Sequence, residues 1–180
     1  MTMRRRVGRW LGAVTAVAAL AGLTGAPPAT ADINPIGNLG DTLRVDYKGI
    51  VADVTVHDVL PTDPPPGYAP TGSPRWRNEG GPWRANVTVH TIKTPAPFAQ
   101  SLGFSFNGVT PYGDAYQPKN TDAPDALQYS LQNAPSGSTV NGAVYWQVYR
   151  ALVTNVVLLD PKTGEHLAQW NIWQPGDQLP

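Results

Sequence analysis

The chain contains no cysteine. That absence excludes disulfides, thiolate metal sites, a cysteine nucleophile and the lipidated cysteine of a lipoprotein. A copper site of the cupredoxin kind, which needs a thiolate, goes with them. Histidine is scarce, with three residues in 180, and charged residues make up only 14% of the chain. No Gly-x-Ser-x-Gly elbow and no Ser-x-x-Lys motif occurs, so serine nucleophiles of those kinds are missing. No glycine-rich loop lies between a strand pattern and a helix pattern to cradle phosphate. There is no long helical periodicity, and no repeat of 20–50 residues.

The N-terminus carries what the rest lacks. Arg4, Arg5, Arg6 and Arg9 form a basic region, and Trp10 to Leu23 is uncharged and rich in Ala, Val and Leu. Ala29-Thr30-Ala31 then supplies the small-x-small pattern read by signal peptidase, so cleavage is expected between Ala31 and Asp32. The apolar run is shorter and more diluted than a membrane-spanning helix of about 20 residues. Residues 1–31 therefore read as a cleaved secretory signal, exported by the general secretory route or the twin-arginine one, and residues 32–180 as a single secreted domain. The mature chain keeps nine basic residues against thirteen acidic ones, a net charge of −4. That argues against nucleic acid and against an anionic membrane as partner.

Proline and glycine contribute 31 of the 149 mature residues and fall as punctuation between short apolar runs. In Trp83 to Ile92 the residues Trp83, Ala85, Val87 and Val89 alternate with Arg84, Asn86, Thr88 and His90. Successive strand side chains point to opposite faces, so this alternation predicts one buried and one wet face. Leu43, Val45 and Tyr47 form a second apolar face, and Ala52, Val54 and Val56 a third, opposed by Asp53, Thr55 and His57. Phe98, Leu102, Phe104 and Phe106 suggest another strand, and Tyr116 begins a weak one. Val140 to Val153 is a long apolar run containing Val144, Trp146 and Val148. Asn155 to Leu159 and His166 to Trp173 flank Asp160-Pro161-Lys162-Thr163-Gly164-Glu165, a turn signal that predicts a hairpin. Leu127 and Leu131 are spaced for one or two helical turns, confined by Pro124 and Pro135. Seven or eight short strands with no long helix predict an all-β, antiparallel two-sheet β-sandwich. Trp83 and Trp146 are the expected bulky pins between its sheets.

Candidate chemistry is thin. His57, His90 and His166 lie on three different predicted strands without metal-ligand spacing, so no metal or cofactor is expected. Ser101, Ser105 and Ser130 have no neighbouring base. Asp53 with Asp58, or Asp122 with Asp125, are conceivable glycosidase pairs, which would need about 5–9.5 Å between carboxyls across a cleft. Residues 61–82 are different in kind, with seven prolines in 22 residues and Pro64-Pro65-Pro66 at the centre. Loops beyond about 12–15 residues are often functional. Tyr68, Arg75, Trp76 and Arg77 on it are residue types enriched in binding hot spots, while a packed cap for Trp76 and simple stiffening by the prolines are the plainer readings. A polyproline-like run is also a preformed ligand for aromatic grooves.

Several short stretches in one order carry a resemblance. They are Pro35-Ile36-Gly37-Asn38-Leu39-Gly40, Pro66-Gly67-Tyr68 with Gly72, and Trp83 with alternating Ala85, Val87 and Val89. Gly142-Ala143-Val144-Tyr145 and Trp170-Asn171-Ile172-Trp173-Gln174-Pro175 complete the set. Together they resemble the mycobacterial secreted immunogenic antigen family of the MPT-sixty-three type, over essentially the whole mature chain. The resemblance implies an immunoglobulin-like β-sandwich released from the cell, with no established catalytic residues. This chain departs from it in a longer proline-rich loop and the tail Gly176 to Pro180.

The sequence thus predicts a secreted, non-enzymatic, monomeric binding or interaction module, with a protein or host-surface partner and no membrane association in the mature form. A carrier of saccharide or apolar ligands, or a glycoside-acting enzyme working in a cleft at the sandwich end, is the alternative.

Overall fold

The computed structural model describes residues 34–67 and 81–172. Their strands are β1 Ile36–Asn38, β2 Thr42–Tyr47, β3 Ile50–Pro61, β4 Gly81–Lys93, β5 Ser105–Val109, β6 Ala115–Tyr116, β7 Thr139–Val148, β8 Asn155–Leu159 and β9 His166–Asn171. Two short helices, α1 Ala99–Gly103 and α2 Leu127–Ser130, interrupt them, and α2 runs into one 3₁₀ turn, Leu131–Asn133. One sheet has the order β2-β3-β4-β7 and the other β1-β9-β8-β5-β6.

The alternation along β3 and β4 places Val54 opposite Val89 and Val56 opposite Val87, all on the inner face. Phe106, Val156, Leu158, Ala168 and Trp170 join them in one buried cluster. Burying each such side chain contributes roughly 1.5–3 kcal/mol, so the apolar stripe of each strand commits it to this face. The Trp146 indole donates to the Phe106 carbonyl across the sandwich, 2.8 Å. The Trp170 indole donates to the Asp41 carbonyl, 3.0 Å, and its ring lies 6.5 Å from that of Phe106. These two tryptophans, each 0% exposed, are the pins between the sheets. Trp83 is not one: it stands opposite Trp146 near the sheet end and is only half-buried, because β3 stops at Pro61 beside it.

Two turns close hairpins, one of them at the Asp160–Glu165 turn signal. β2 and β3 join through Lys48 (φ 49°) and Gly49 (φ 81°), the left-handed pair that a two-residue turn between twisted strands requires. β8 and β9 pair around Asp160, whose carboxylate accepts from the Lys162 amide (2.7 Å).

Other elements depart from expectation for definable reasons. Residues 98–102 belong to no strand. Phe98 and Leu102, four apart, fit a helical stripe as well as an alternating one, and both are more than half exposed. What α1 buries is Gln100, whose amide donates to the Thr91 hydroxyl at 2.8 Å. Inner-face alternation on β4 therefore continues through Thr91 and leaves Ile92 outside. The lead-in to β2 forms β1, which pairs parallel to β9, so the described residues form nine strands and the sandwich is not purely antiparallel. Leu127 and Leu131 are buried on the single pair of helical turns their spacing predicts.

Candidate functional site

The outer face of the β2-β3-β4-β7 sheet gathers acids, histidines, amides and hydroxyls, because the wet positions of these strands point there. Register arranges them in rows. Thr42, Thr55, Thr88 and Asn141 stand side by side across all four strands. Within that row Thr42 and Thr55 share a hydrogen bond of 2.8 Å, and Thr88 donates to Asn141 at 2.6 Å. The next row is Arg44, Asp53, His90 and Thr139. Arg44 binds both oxygens of Asp53, at 2.8 and 3.0 Å, and this hydrogen-bonded pairing holds the Asp53 carboxyl below its ordinary range. Asn86 donates to both oxygens of Asp58, at 2.8 and 2.9 Å.

On β7 this face is partly roofed. The Ala143 amide donates to the Asp125 carbonyl (2.6 Å) and the Lys119 amide to the Tyr145 carbonyl (2.8 Å). The segment 119–127 therefore closes the free edge of β7, which an open sheet would leave available for pairing with another chain. Ala123, Ala126, Ala143 and Tyr145 form a second small core beneath it. Gly142 makes the close approach possible, since a Cβ there would lie 2.6 Å from the Leu127 Cα. The Tyr145 hydroxyl donates to Asp125 at 2.8 Å. Burial, reinforced by that bond, pushes the phenol up to about 12. Between this roof and β3 lies an open groove of about 320 Å³ lined by His57, Asn86, Thr88, Asp125, Asn141 and Gly142.

The sequence-predicted chemistry is dispersed. His57 bonds Thr88 (2.7 Å), His90 bonds Thr139 (2.8 Å) and His166 bonds the Ala168 carbonyl (3.1 Å). Among the described residues, no three His, Asp or Glu side chains gather as a metal site would require. Ser101 donates to the Phe98 carbonyl, Ser105 to Asn107 and Ser130 to the Asn141 carbonyl. The four aspartates do not form facing pairs: Asp53 is taken by Arg44, Asp58 by Asn86 and Asp125 by Tyr145. Asp122 anchors the base of the proline-rich loop, its amide donating to the Pro66 carbonyl at 2.8 Å. Pro65 is buried there, so the triproline run rests on its own domain. Tyr68, Arg75, Trp76 and Arg77 lie outside the described residues, as do Ala31 and Asp32.

Two features escaped sequence reading. Asp160 was legible as a turn residue, but it is buried and accepts from the Tyr47 hydroxyl (2.8 Å) and the Lys48 ammonium (2.9 Å). The hydrogen bond from Lys48, then those from the Lys162 amide and Tyr47, hold its carboxyl far below the usual range. The second is a pair of adjoining cavities around Phe104. An inner, mostly apolar pouch of about 70 Å³ lies against Phe106, Leu127, Leu131 and Val144. An outer basin of about 350 Å³ is lined by Ser105, Asn107, Gln117 and Asn120. Ser101, Phe104, Pro118 and Gln128 line both.

The fold defines a class, the two-sheet immunoglobulin-like β-sandwich proteins. No protein-family model matches the chain, and no curated protein matches it in sequence. Among solved structures it is similar to MPT63, a secreted protein from Mycobacterium tuberculosis, with a TM-score of 0.59 at 24% identity. That match covers 78% of this chain and 99% of MPT63, and the likeness is one of fold. The yjhA protein from Bacillus subtilis also aligns, over 72% of this chain and 85% of its own, with a TM-score of 0.45 at 16% identity.

Proposed function

We propose that the protein is exported and works beyond the cytoplasmic membrane as a non-enzymatic interaction domain, a distant relative of the mycobacterial secreted antigens its sequence resembles. The observation that supports binding over catalysis is the state of the outer sheet face. Its acids and histidines are each held by a neighbouring side chain, Asp53 by Arg44, Asp58 by Asn86, Asp125 by Tyr145, His57 by Thr88 and His90 by Thr139, which rigidifies a polar surface. Secretion of its structural neighbour MPT63 and the N-terminal export pattern support the location. Among the described residues no helix is long and apolar enough to cross a membrane.

The partner is a protein, engaged by the proline-rich loop together with the sheet face. The loop leaves the described structure after Gly67 and re-enters at Gly81, at the start of β4. Tyr68, Arg75, Trp76 and Arg77 contribute through residue type, large amphipathic area and bidentate donors. Capture of envelope and host-surface proteins on the immobilised mature chain tests this. A specific protein retained by the parent and lost from a Tyr68, Arg75, Trp76, Arg77→Ala variant with an unchanged melt is the expected result. Equal retention by that variant would remove the loop from the site. A second reading rests on the groove lined by His57, Asn86, Thr88, Asp125 and Asn141, whose hydroxyl, amide and carboxylate groups suit a saccharide. Binding of glycans that is lost in Asn86→Ala would favour it.

A further inference from the structure

We propose that the paired cavities around Phe104 form a binding site for short aliphatic carboxylates, with the carboxylate in the outer basin and the alkyl chain in the inner pouch. This site shares no residue with the loop or with the groove lined by His57 and Asn86, so either proposal can fail without the other.

The polar half is defined by Asn107. It sits on β5, where Phe106 and Gly108 face the core and Asn107 faces the opposite way, yet it is only 6% exposed and shares the basin wall with Gln117, Pro118 and Asn120. Its amide oxygen is satisfied by the Ser105 hydroxyl at 3.0 Å. Among the described residues, its two amide N–H donors meet no acceptor. Buried donors left unpaired cost roughly 1–3 kcal/mol, and such groups in folded proteins ordinarily have a partner, protein or otherwise. The complement of an unpaired amide donor facing the basin is an acceptor such as a carboxylate oxygen. Charge points the same way. Among the described residues no Asp or Glu lines either cavity, and Lys119, which lines the pouch next to Pro118 of the shared wall, makes no ion pair and leaves the surroundings of the basin with positive charge only.

The apolar half sets the chain length. A cavity of about 150 Å³ accommodates the six carbons of benzene, so the pouch of about 70 Å³ takes about three carbons. The matching ligand is a carboxylate with a three-carbon tail, and n-butyrate is the probe. Gln128, on the shared wall, is held by its own bond to the Thr121 carbonyl (3.3 Å), which keeps the passage between the halves defined.

The experiment is titration of the mature chain with n-butyrate, acetate and n-butylamine, followed by ¹H–¹⁵N and methyl NMR. Butyrate is expected to shift the Asn107 side-chain amide together with the methyls of Leu127, Leu131 and Val144. Acetate, lacking the tail, should bind about tenfold more weakly, and butylamine should leave the Asn107 amide unmoved. Asn107→Asp, which keeps the shape but replaces the donors with a negative charge, should weaken butyrate by about tenfold or more in a protein whose ¹H–¹⁵N spectrum shows the parental fold. Absence of the Asn107 shift in the parent protein, or equal effects from butylamine, would overturn the proposal. So would undiminished butyrate binding by a folded Asn107→Asp variant.

Discussion

Gly142→Ala tests the roof over β7 more directly than any other single change. The added methyl would lie 2.6 Å from the Leu127 Cα and 2.9 Å from both the Leu127 nitrogen and the Asp125 oxygen. All three are backbone atoms, so no rotamer change relieves the contact. Ordinary carbon contact near 3.5 Å requires the segment around Leu127 to retreat by about 1 Å. Such a retreat stretches the 2.6 Å bond from Ala143 to Asp125 and the 2.8 Å bond from Tyr145, and loosens Leu127, which is 2% exposed. Inserting a methyl into a packed site typically costs about 1–3 kcal/mol, and the gain of replacing a strand glycine returns roughly 0.5–1 of it. A net loss of about 1–2 kcal/mol lowers the melting temperature by roughly 3–8 °C in a domain of this size. Urea denaturation measures the loss, and an ultraviolet pH titration follows Tyr145. In the folded protein its phenol is pushed up to about 12, so its stabilisation is complete below the ordinary value near 10 and fades as pH rises through 12. Lifting the roof should return the phenol toward 10. A Gly142→Ala protein with parental stability and an unmoved Tyr145 would refute the account of how the edge is closed.

Three further outcomes are expected. Val87→Asp places a charge at a position 1% exposed and should cost about 4 kcal/mol or more, abolishing the cooperative thermal transition that circular dichroism detects. Asp160→Asn should flatten the acid limb of the stability profile. The folded carboxyl is held low by Lys48, so its contribution is present above the ordinary value near 4 and lost as pH falls below it. Denaturant midpoints measured from pH 7 down to pH 2 follow that loss, and equal slopes in parent and variant would count against it. Trp146→Phe should cost about 2–4 kcal/mol, because the Phe106 carbonyl loses its buried donor along with packing area, whereas Trp83→Phe should cost less than about 1. Comparable losses in the two variants would restore Trp83 as an inter-sheet pin.

The residues of this chain determined the strands by themselves wherever polar and apolar positions alternate, because the pleat turns a period of two directly into an inside and an outside. Val54, Val56, Val87 and Val89 are where alternation puts them, the Asp160–Glu165 turn closes the hairpin it implies, and Leu127 with Leu131 marks its pair of helical turns. Where two periods coincide, as at Phe98 and Leu102, spacing could not separate helix from strand, and the bond from Gln100 to Thr91 settled the matter. Nor does alternation say which outer faces will be covered. Ala143 and Tyr145 occupy wet positions and are nonetheless buried, because a segment some twenty residues earlier folds over them through the gap left by Gly142. Asn107 reads as an ordinary outward strand residue, yet it is buried in a basin whose wall it shares with Gln117, Pro118 and Asn120. Local patterning decides which way a side chain points. What it meets there depends on chain segments distant in sequence, and in this protein those segments assemble both the roofed groove and the cavities around Phe104.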